Sequence, residues 1–227
     1  IDTSHLYRAT GISRGAALIM VGEGGNNYLS VAPGANYRLT PERIDESRSL
    51  IADSAWVLMQ YEIARPTVER VLDVASEEGT PVIFNFAPAR DFARERLASV
   101  HTLVVNENEA ATLSGMPVGD EHEARRAAEA LRDTGANVVI VTLGPAGSLV
   151  VNADGVSRVE AFPVDAVDTT AAGDTYCGCL AVALAEGKSF EDSVRFASAG
   201  AAISVGRMGA QPSAPRREEI DRFLGSR

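Results

Sequence analysis

The stretch Val167-Asp168-Thr169-Thr170-Ala171-Ala172-Gly173-Asp174-Thr175-Tyr176-Cys177-Gly178 sets a carboxylate inside a turn of small residues that opens a helix. From residue 175 to 186 the apolar spacing of Tyr176, Leu180, Ala183 and Leu184 predicts a helix. Ala171, Ala172 and Gly173 then lie at its N-terminus, where backbone N–H groups lack intrahelical partners. Such groups, together with the positive end of the helix dipole, bind anions. Asp174 would itself repel a phosphate, so its place is opposite a substrate hydroxyl, as the base that takes the proton. Taken alone, the turn also admits a plain reading, with Asp174 as a helix-capping carboxylate.

Upstream of the turn, short apolar runs at 56–59, 81–84, 102–105 and 137–142 predict strands covered on both faces. Between them Val68, Val71, Leu72 and Ala75, and then Ala124, Ala127, Ala128 and Leu131, recur at helical spacing with charges on the opposite side. The alternation predicts an α/β fold of three layers, α/β/α, around a mostly parallel central sheet. Residues 148–151 and 156–159 read as a β-hairpin turning at Asp154-Gly155. Helices are expected at 189–205 and 216–224, while 16–21 and 28–31 alternate as two paired strands. One domain over 1–227 is the expectation.

At 227 residues, with 45% hydrophobic and 23% charged residues, the chain has the composition of an ordinary globular protein. Its net charge of −10 argues against nucleic acid and anionic membrane as partners, but not against a nucleotide held locally. Cys177 and Cys179, two apart on a helix, point in different directions and read as small apolar residues, not a metal pair. No pair of His5, His101 and His122 has ligand spacing. Glu62, Arg65, Glu69 and Arg70, like the charges from 121 to 132, read as solvated helix faces. With no cysteine framework and no long apolar run, a cytoplasmic location is the simplest expectation.

The 168–178 segment resembles the second signature of the ribokinase family of sugar and nucleoside kinases, roughly Asp-Thr-x-Gly/Ala-Ala/Gly-Gly-Asp-x-Phe/Tyr-x-Gly. Asn85-Phe86-Ala87-Pro88-Ala89-Arg90, Asn106-Glu107-Asn108-Glu109, Thr142-Leu143-Gly144-Pro145-Ala146-Gly147 and Gly209-Ala210-Gln211-Pro212-Ser213 resemble further family segments, in family order. The likeness runs from about residue 16 to 224. It implies an ATP-dependent kinase that phosphorylates the primary hydroxyl of a pentose, D-ribose foremost, to give ribose 5-phosphate. Fructose, deoxyribose or adenosine remain alternative acceptors.

By the same resemblance Asp174 is the general base, and the amides of Ala171, Ala172 and Gly173 form the anion hole. Asn106 and Glu109 organise phosphates and Mg²⁺, Glu109 through water, as suits a cation that dehydrates reluctantly. The plain alternative is a helix start with a polar cap and a first-turn Glu. Thr142, Gly144 and Gly147 match the nucleotide segment, where absent side chains let a ligand approach backbone. Asn85 either reaches phosphate or satisfies the Pro88 turn, and Ser198 stands where the family has a His near the adenine. Asp168, Thr170, Ser204, Arg207, Gly209 and Ser213 match a K⁺ loop built mostly of backbone oxygens; the competing account is a structural turn.

Residues 16–31 resemble the strands that lead from the family's lid. Ribokinases carry Gly-Glu-Asn near Gly24-Gly25-Asn26-Asn27, so Asn26 is the expected sugar-facing residue in place of a Glu. The likeness begins inside the usual family sequence, with about the first third, including most of the lid and part of the sugar grip, unmatched. Two consequences follow as expectations: a bare sheet edge, and a homodimer in the full-length protein. A silent module that binds nucleotide or partners without chemistry is the alternative of a different class.

Overall fold

The computed structural model describes residues 2–21 and 27–226. Asn26 and Glu23, the positions weighed for sugar contact, lie outside them. Strands β1 (Ala16–Val21) and β2 (Asn27–Ala32) pair antiparallel as a separate two-stranded sheet. The main sheet has the order β3-β4-β5-β6-β7-β8. Its members are β3 (Val57–Gln60), β4 (Val82–Asn85), β5 (Thr102–Asn106), β6 (Val138–Thr142), β7 (Ser148–Asn152) and β8 (Gly155–Val159). The first four run parallel, and β7 and β8 turn back antiparallel as the hairpin expected around Asp154-Gly155.

Short helices α1 (Pro41–Glu46) and α2 (Arg48–Ala52) precede β3. Crossovers between the parallel strands use α3 (Arg65–Glu78), α4 (Glu107–Ser114) and α5 (Glu121–Asp133). After β8 come α6 (Ala172–Ala185), α7 (Phe190–Val205) and α8 (Arg217–Gly225). Glu62 precedes α3, so it sits on the bend after β3 and not on a helix face.

Because strand side chains alternate between faces, each parallel strand feeds two cores. Val82, Phe84, Leu103, Val105, Val139 and Val141 pack with Val68, Leu72, Ala124 and Leu131 of α3 and α5. Ile83, Val104 and Ile140 face the other way, onto Tyr176, Leu180, Val194 and Ala197 of α6 and α7. This is the α/β/α sandwich read from the sequence, with α8 docked behind α6 and α7 through Ile220. Strand β3 is the open edge of the described sheet, and its Leu58 is 40% exposed. No helix among the described residues is long and apolar enough to cross a membrane.

Candidate active site

The alternation that builds the cores also builds a polar rim. Continuing the α6-facing series one position past Ile83, Val104 and Ile140 gives Asn85, Asn106 and Thr142, and on β3 it gives Gln60. Gln60 is in register with Asn85, and Asn106 with Thr142. Four parallel strands therefore end in polar side chains on the face covered by α6, at the carboxyl edge where open α/β sheets bind ligands.

Helix α6 starts at Ala172, three residues earlier than the apolar spacing indicates, because small residues make up its first turn and carry no periodic signal. Ala171 is its N-cap, at φ 60° and ψ 14°, and is the one non-glycine residue at positive φ among the described residues. An L-residue avoids this region, so the backbone here is strained. No side chain caps the helix. Of the three amides expected as the anion hole, Ala172 donates to the Thr169 carbonyl at 3.2 Å. The N–H groups of Ala171 and Gly173, and that of Asp174, donate to nothing among the described residues. A Cβ built on Gly173 would meet no atom within 4 Å, so the turn is open to an incoming group.

Asp174 stands in the first turn of α6, between two hollows. One, of about 400 Å³, is lined by Leu58, Met59, Gln60, Glu62, Asp174 and Cys177. The other, of about 390 Å³, lies between Asp174, Thr175 and Gly178 on one side and Ala210, Gln211 and Pro215 on the other. The carboxylate opens onto the cleft but is crowded by protein on its other sides, and this loss of solvent raises its pKa. The Gln60 Nε2–H group donates to Asp174 Oδ1 and works in the opposite direction. Burial pushes the neighbouring Cys177 thiol far up, helped by the negative charges of Asp174 and Glu109. Cys177 is buried and Cys179 half-buried, the apolar role expected of them.

Asn106 and Glu109 form a complete capping box at the start of α4. Asn106 Oδ1 accepts from the Glu109 N–H at 2.9 Å, and Glu109 Oε2 accepts from the Asn106 N–H at 2.8 Å. The polar cap is therefore present, and it leaves Glu109 Oε1 without a hydrogen bond among the described residues. Glu109 is 9% exposed, and burial raises its pKa against the pull of the Asn106 amide. Asn85 is 6% exposed, and its side chain makes no hydrogen bond to the Pro88 turn or elsewhere among the described residues.

The two glycines after β6 differ in purpose. Gly144, at φ +53°, has open space where a Cβ would stand. At Gly147, φ +90°, a Cβ would lie 2.1 Å from the Val159 carbonyl oxygen, so a glycine is needed there for the closure of β7 on β8. The Thr142 hydroxyl donates to the Val105 carbonyl at 3.3 Å. Ser198 turns back along its own helix to the Val194 carbonyl, 2.9 Å away, with the Tyr176 hydroxyl facing it.

Asp168 ties the turn to the segment after α7. Its Oδ1 accepts from the Thr170 N–H and its Oδ2 from the Gly209 N–H, both at 2.9 Å; the Thr170 side chain first, and then these two bonds, hold its pKa below the usual carboxylate value. The carbonyls of Thr170, Arg207 and Gly209 accept no hydrogen bond among the described residues. Ser204 and Ser213 are fully buried and share a hydroxyl–hydroxyl bond of 2.8 Å. The Ser204 carbonyl is already taken by the Arg207 N–H at 3.0 Å, and the Arg207 guanidinium pairs with Glu219 of α8.

Gln60 and Glu62 are the cleft residues that sequence reasoning passed over. The available signal was their position immediately after an apolar strand, two polar side chains flanking the buried Tyr61.

Against this geometry, comparison with known proteins defines the class. The pfkB family carbohydrate kinase profile matches residues 1–217. The chain is 40% identical to the ribokinase of Haemophilus influenzae over 225 residues, 99% of this chain and 73% of that protein. It is 34% identical to the deoxyribokinase of Salmonella typhi over 225 residues, 99% of this chain and 74% of that one. The structure of Arabidopsis thaliana ribokinase complexed with ribose and ATP superposes with a TM-score of 0.85 at 33% identity, covering 92% of this chain and 69% of that one. The chain belongs to the pfkB family of carbohydrate kinases. It is a phosphotransferase of the class whose acceptor is a sugar hydroxyl.

Proposed function

We propose that the protein transfers the γ-phosphoryl group of ATP to the primary hydroxyl of a pentose, D-ribose giving ribose 5-phosphate. The observation that carries this reading is Asp174: an acid in the first turn of an uncapped helix, beside free amides, on the wall of a cleft lined by Gln60 and Glu62. The acceptor sugar lies in that cleft, its hydroxyl against the carboxylate and its other hydroxyls within reach of Glu62. As the hydroxyl oxygen bonds to the γ-phosphorus, the bond from that phosphorus to the bridging oxygen breaks and ADP leaves. The hydroxyl proton passes to Asp174 and then to solvent. The free N–H groups of Ala171, Gly173 and Asp174 stabilise the charge on the moving phosphoryl group. Asn85, Asn106 and Thr142 line the nucleotide phosphates along the strand rim, and the open backbone at Gly144 admits the nucleotide.

Two cations fit the residues present. The described residues hold no cluster of three or more His, Cys, Asp or Glu that could hold a metal ion. A single half-free carboxylate, Glu109, suits Mg²⁺ held mainly by phosphates and water, where it neutralises phosphate charge. The ionised Asp168 beside the free carbonyls of Thr170, Arg207 and Gly209 and the Ser213 hydroxyl suits K⁺, whose charge would bear on the anion-hole turn.

ADP release measured with D-ribose, 2-deoxyribose, fructose and adenosine, in Mg²⁺ with and without K⁺, tests the reading. Ribose-dependent turnover that falls about a thousandfold in Asp174→Asn is the expected result. Turnover with every acceptor except ribose would move the substrate, and none with any acceptor would overturn the proposal.

A further inference from the structure

We infer that Gln60 is a positioning residue for the phosphoryl transfer, holding one oxygen of the Asp174 carboxylate so that the other faces the acceptor hydroxyl. The inference rests on Asp174 acting as the base. Gln60 is the last residue of β3 and follows the strand's alternation onto the α6 side, which points its amide at the first turn of α6. It is the one side chain that donates to Asp174 among the described residues, and it lines the same cleft.

The choice of an amide has a chemical reason. A carboxylate that must accept a proton has to remain ionised while a bound sugar removes still more water from around it, and lost water favours the neutral acid. A lysine or arginine at position 60 would keep Asp174 ionised but would make it a weaker base and attract phosphate to the acceptor's place. A glutamate would share one proton with Asp174 and hold the pair half-protonated. A neutral N–H donor stabilises the ionised form without adding charge, and Gln60 supplies that to Oδ1. With Oδ1 occupied, the carboxylate cannot rotate freely, and Oδ2 is left for the incoming hydroxyl. Gln60 thus ties the edge strand of the sheet to the reacting group, so the sheet and the helix set the geometry together.

The test compares Gln60→Leu and the near-isosteric Gln60→Glu with the unaltered enzyme, reading kcat and kcat/KM against pH with Asp174→Asn in parallel. Both Gln60 variants should lose about ten- to a hundredfold in kcat at neutral pH, the scale of a misplaced catalytic group. The acid limb should move to higher pH, further for Gln60→Glu, with KM for ATP unchanged. A merely structural role would lower stability without moving the acid limb. Should Gln60→Leu fail to fold, Gln60→Glu keeps shape and polarity and decides alone. A wild-type pH profile in Gln60→Glu with an inactive Asp174→Asn would overturn the positioning role and leave the base in place. An active Asp174→Asn would overturn the base itself, and the inference with it.

Discussion

Helices α4 and α6 begin alike and are used in opposite ways. Each follows the sheet's carboxyl edge, and each carries an acid at its third position, Glu109 in α4 and Asp174 in α6. In α4 the acid reaches back to the Asn106 N–H while Asn106 caps the Glu109 N–H, so the acid and the cap are spent on the helix's own backbone. In α6 the N-cap is Ala171, which has nothing to offer and sits in a strained left-handed conformation. Its acid turns away to Gln60, and the N–H groups of Ala171, Gly173 and Asp174 stay free among the described residues. One helix start has been closed for stability, whereas the other is held open at a cost in stability, as a site for an anion requires.

The largest effect expected from breaking this contrast is at Asp174. Asp174→Asn should lower kcat by about a thousandfold, within the range for loss of a general base, and leave nucleotide affinity nearly unchanged. The pH dependence has a definite sign. Because crowding raises the folded-state pKa of Asp174 above the ordinary 3.8, its ionised form is the less favoured one in the folded protein. Activity needs that ionised form, so it falls as pH drops through the raised pKa. Stability runs the other way: what the raised pKa contributes is present in acid and lost as pH rises through it. Asp174→Asn should therefore raise the thermal midpoint at pH 7 and do so less at pH 4. A variant destabilised at pH 7 would show that the carboxylate supports the fold and does not strain it.

A smaller effect follows from closing the open end. Ala171→Asn places a residue that tolerates left-handed backbone at the N-cap and gives it an oxygen for the free amides. It should stabilise the protein by about 1 kcal/mol and reduce kcat roughly tenfold, as the new oxygen competes for the phosphoryl site. Opening the closed end is the converse. Asn106→Ala should cost about 1 kcal/mol of stability through the lost capping box, read from denaturant unfolding, and should raise KM for ATP. Equal losses of kcat from both changes would erase the distinction between the two helix starts.

The layers of the fold were legible because they rest on periodicity. The runs at 82–84, 103–105 and 138–141 are continuous apolar stretches, and the stripe through Val68, Val71, Leu72 and Ala75 is buried as a helix face should be. Asp174 stood out because its segment resembles a family signature; the small-residue turn alone fits a capping carboxylate as well. Gln60 and Glu62 were hidden because the one local mark they carry, their place at the end of an apolar strand, does not say what they face. Their meaning arises only when β3 is placed beside β4 and α6 is laid across both, which brings Gln60 to Asp174 over more than a hundred residues of sequence. A second reason for the glycine at position 147 was hidden likewise, since the carbonyl that forbids a side chain there belongs to Val159 across a hairpin.

The smallest effect sharpens the contrast on the buried side of α6. Tyr176, two residues after Asp174, is 4% exposed, and its hydroxyl has no hydrogen-bond partner among the described residues, nor has the Ser148 hydroxyl. The hydroxyls of Ser148 and Ser198 face it without reaching hydrogen-bond geometry, and burial pushes its pKa far up. In α4 every polar atom of the capping box that faces the backbone is matched, so α6 is underbonded at its core as well as at its tip. An unpaired buried hydroxyl costs about 1–3 kcal/mol, and replacing it with hydrogen recovers part of that. Tyr176→Phe should therefore raise stability by up to about 1 kcal/mol with kcat unchanged. A loss of stability of that size would mean instead that water joins Tyr176 to Ser148 and Ser198, and that α6 is fastened from beneath where it is left open above.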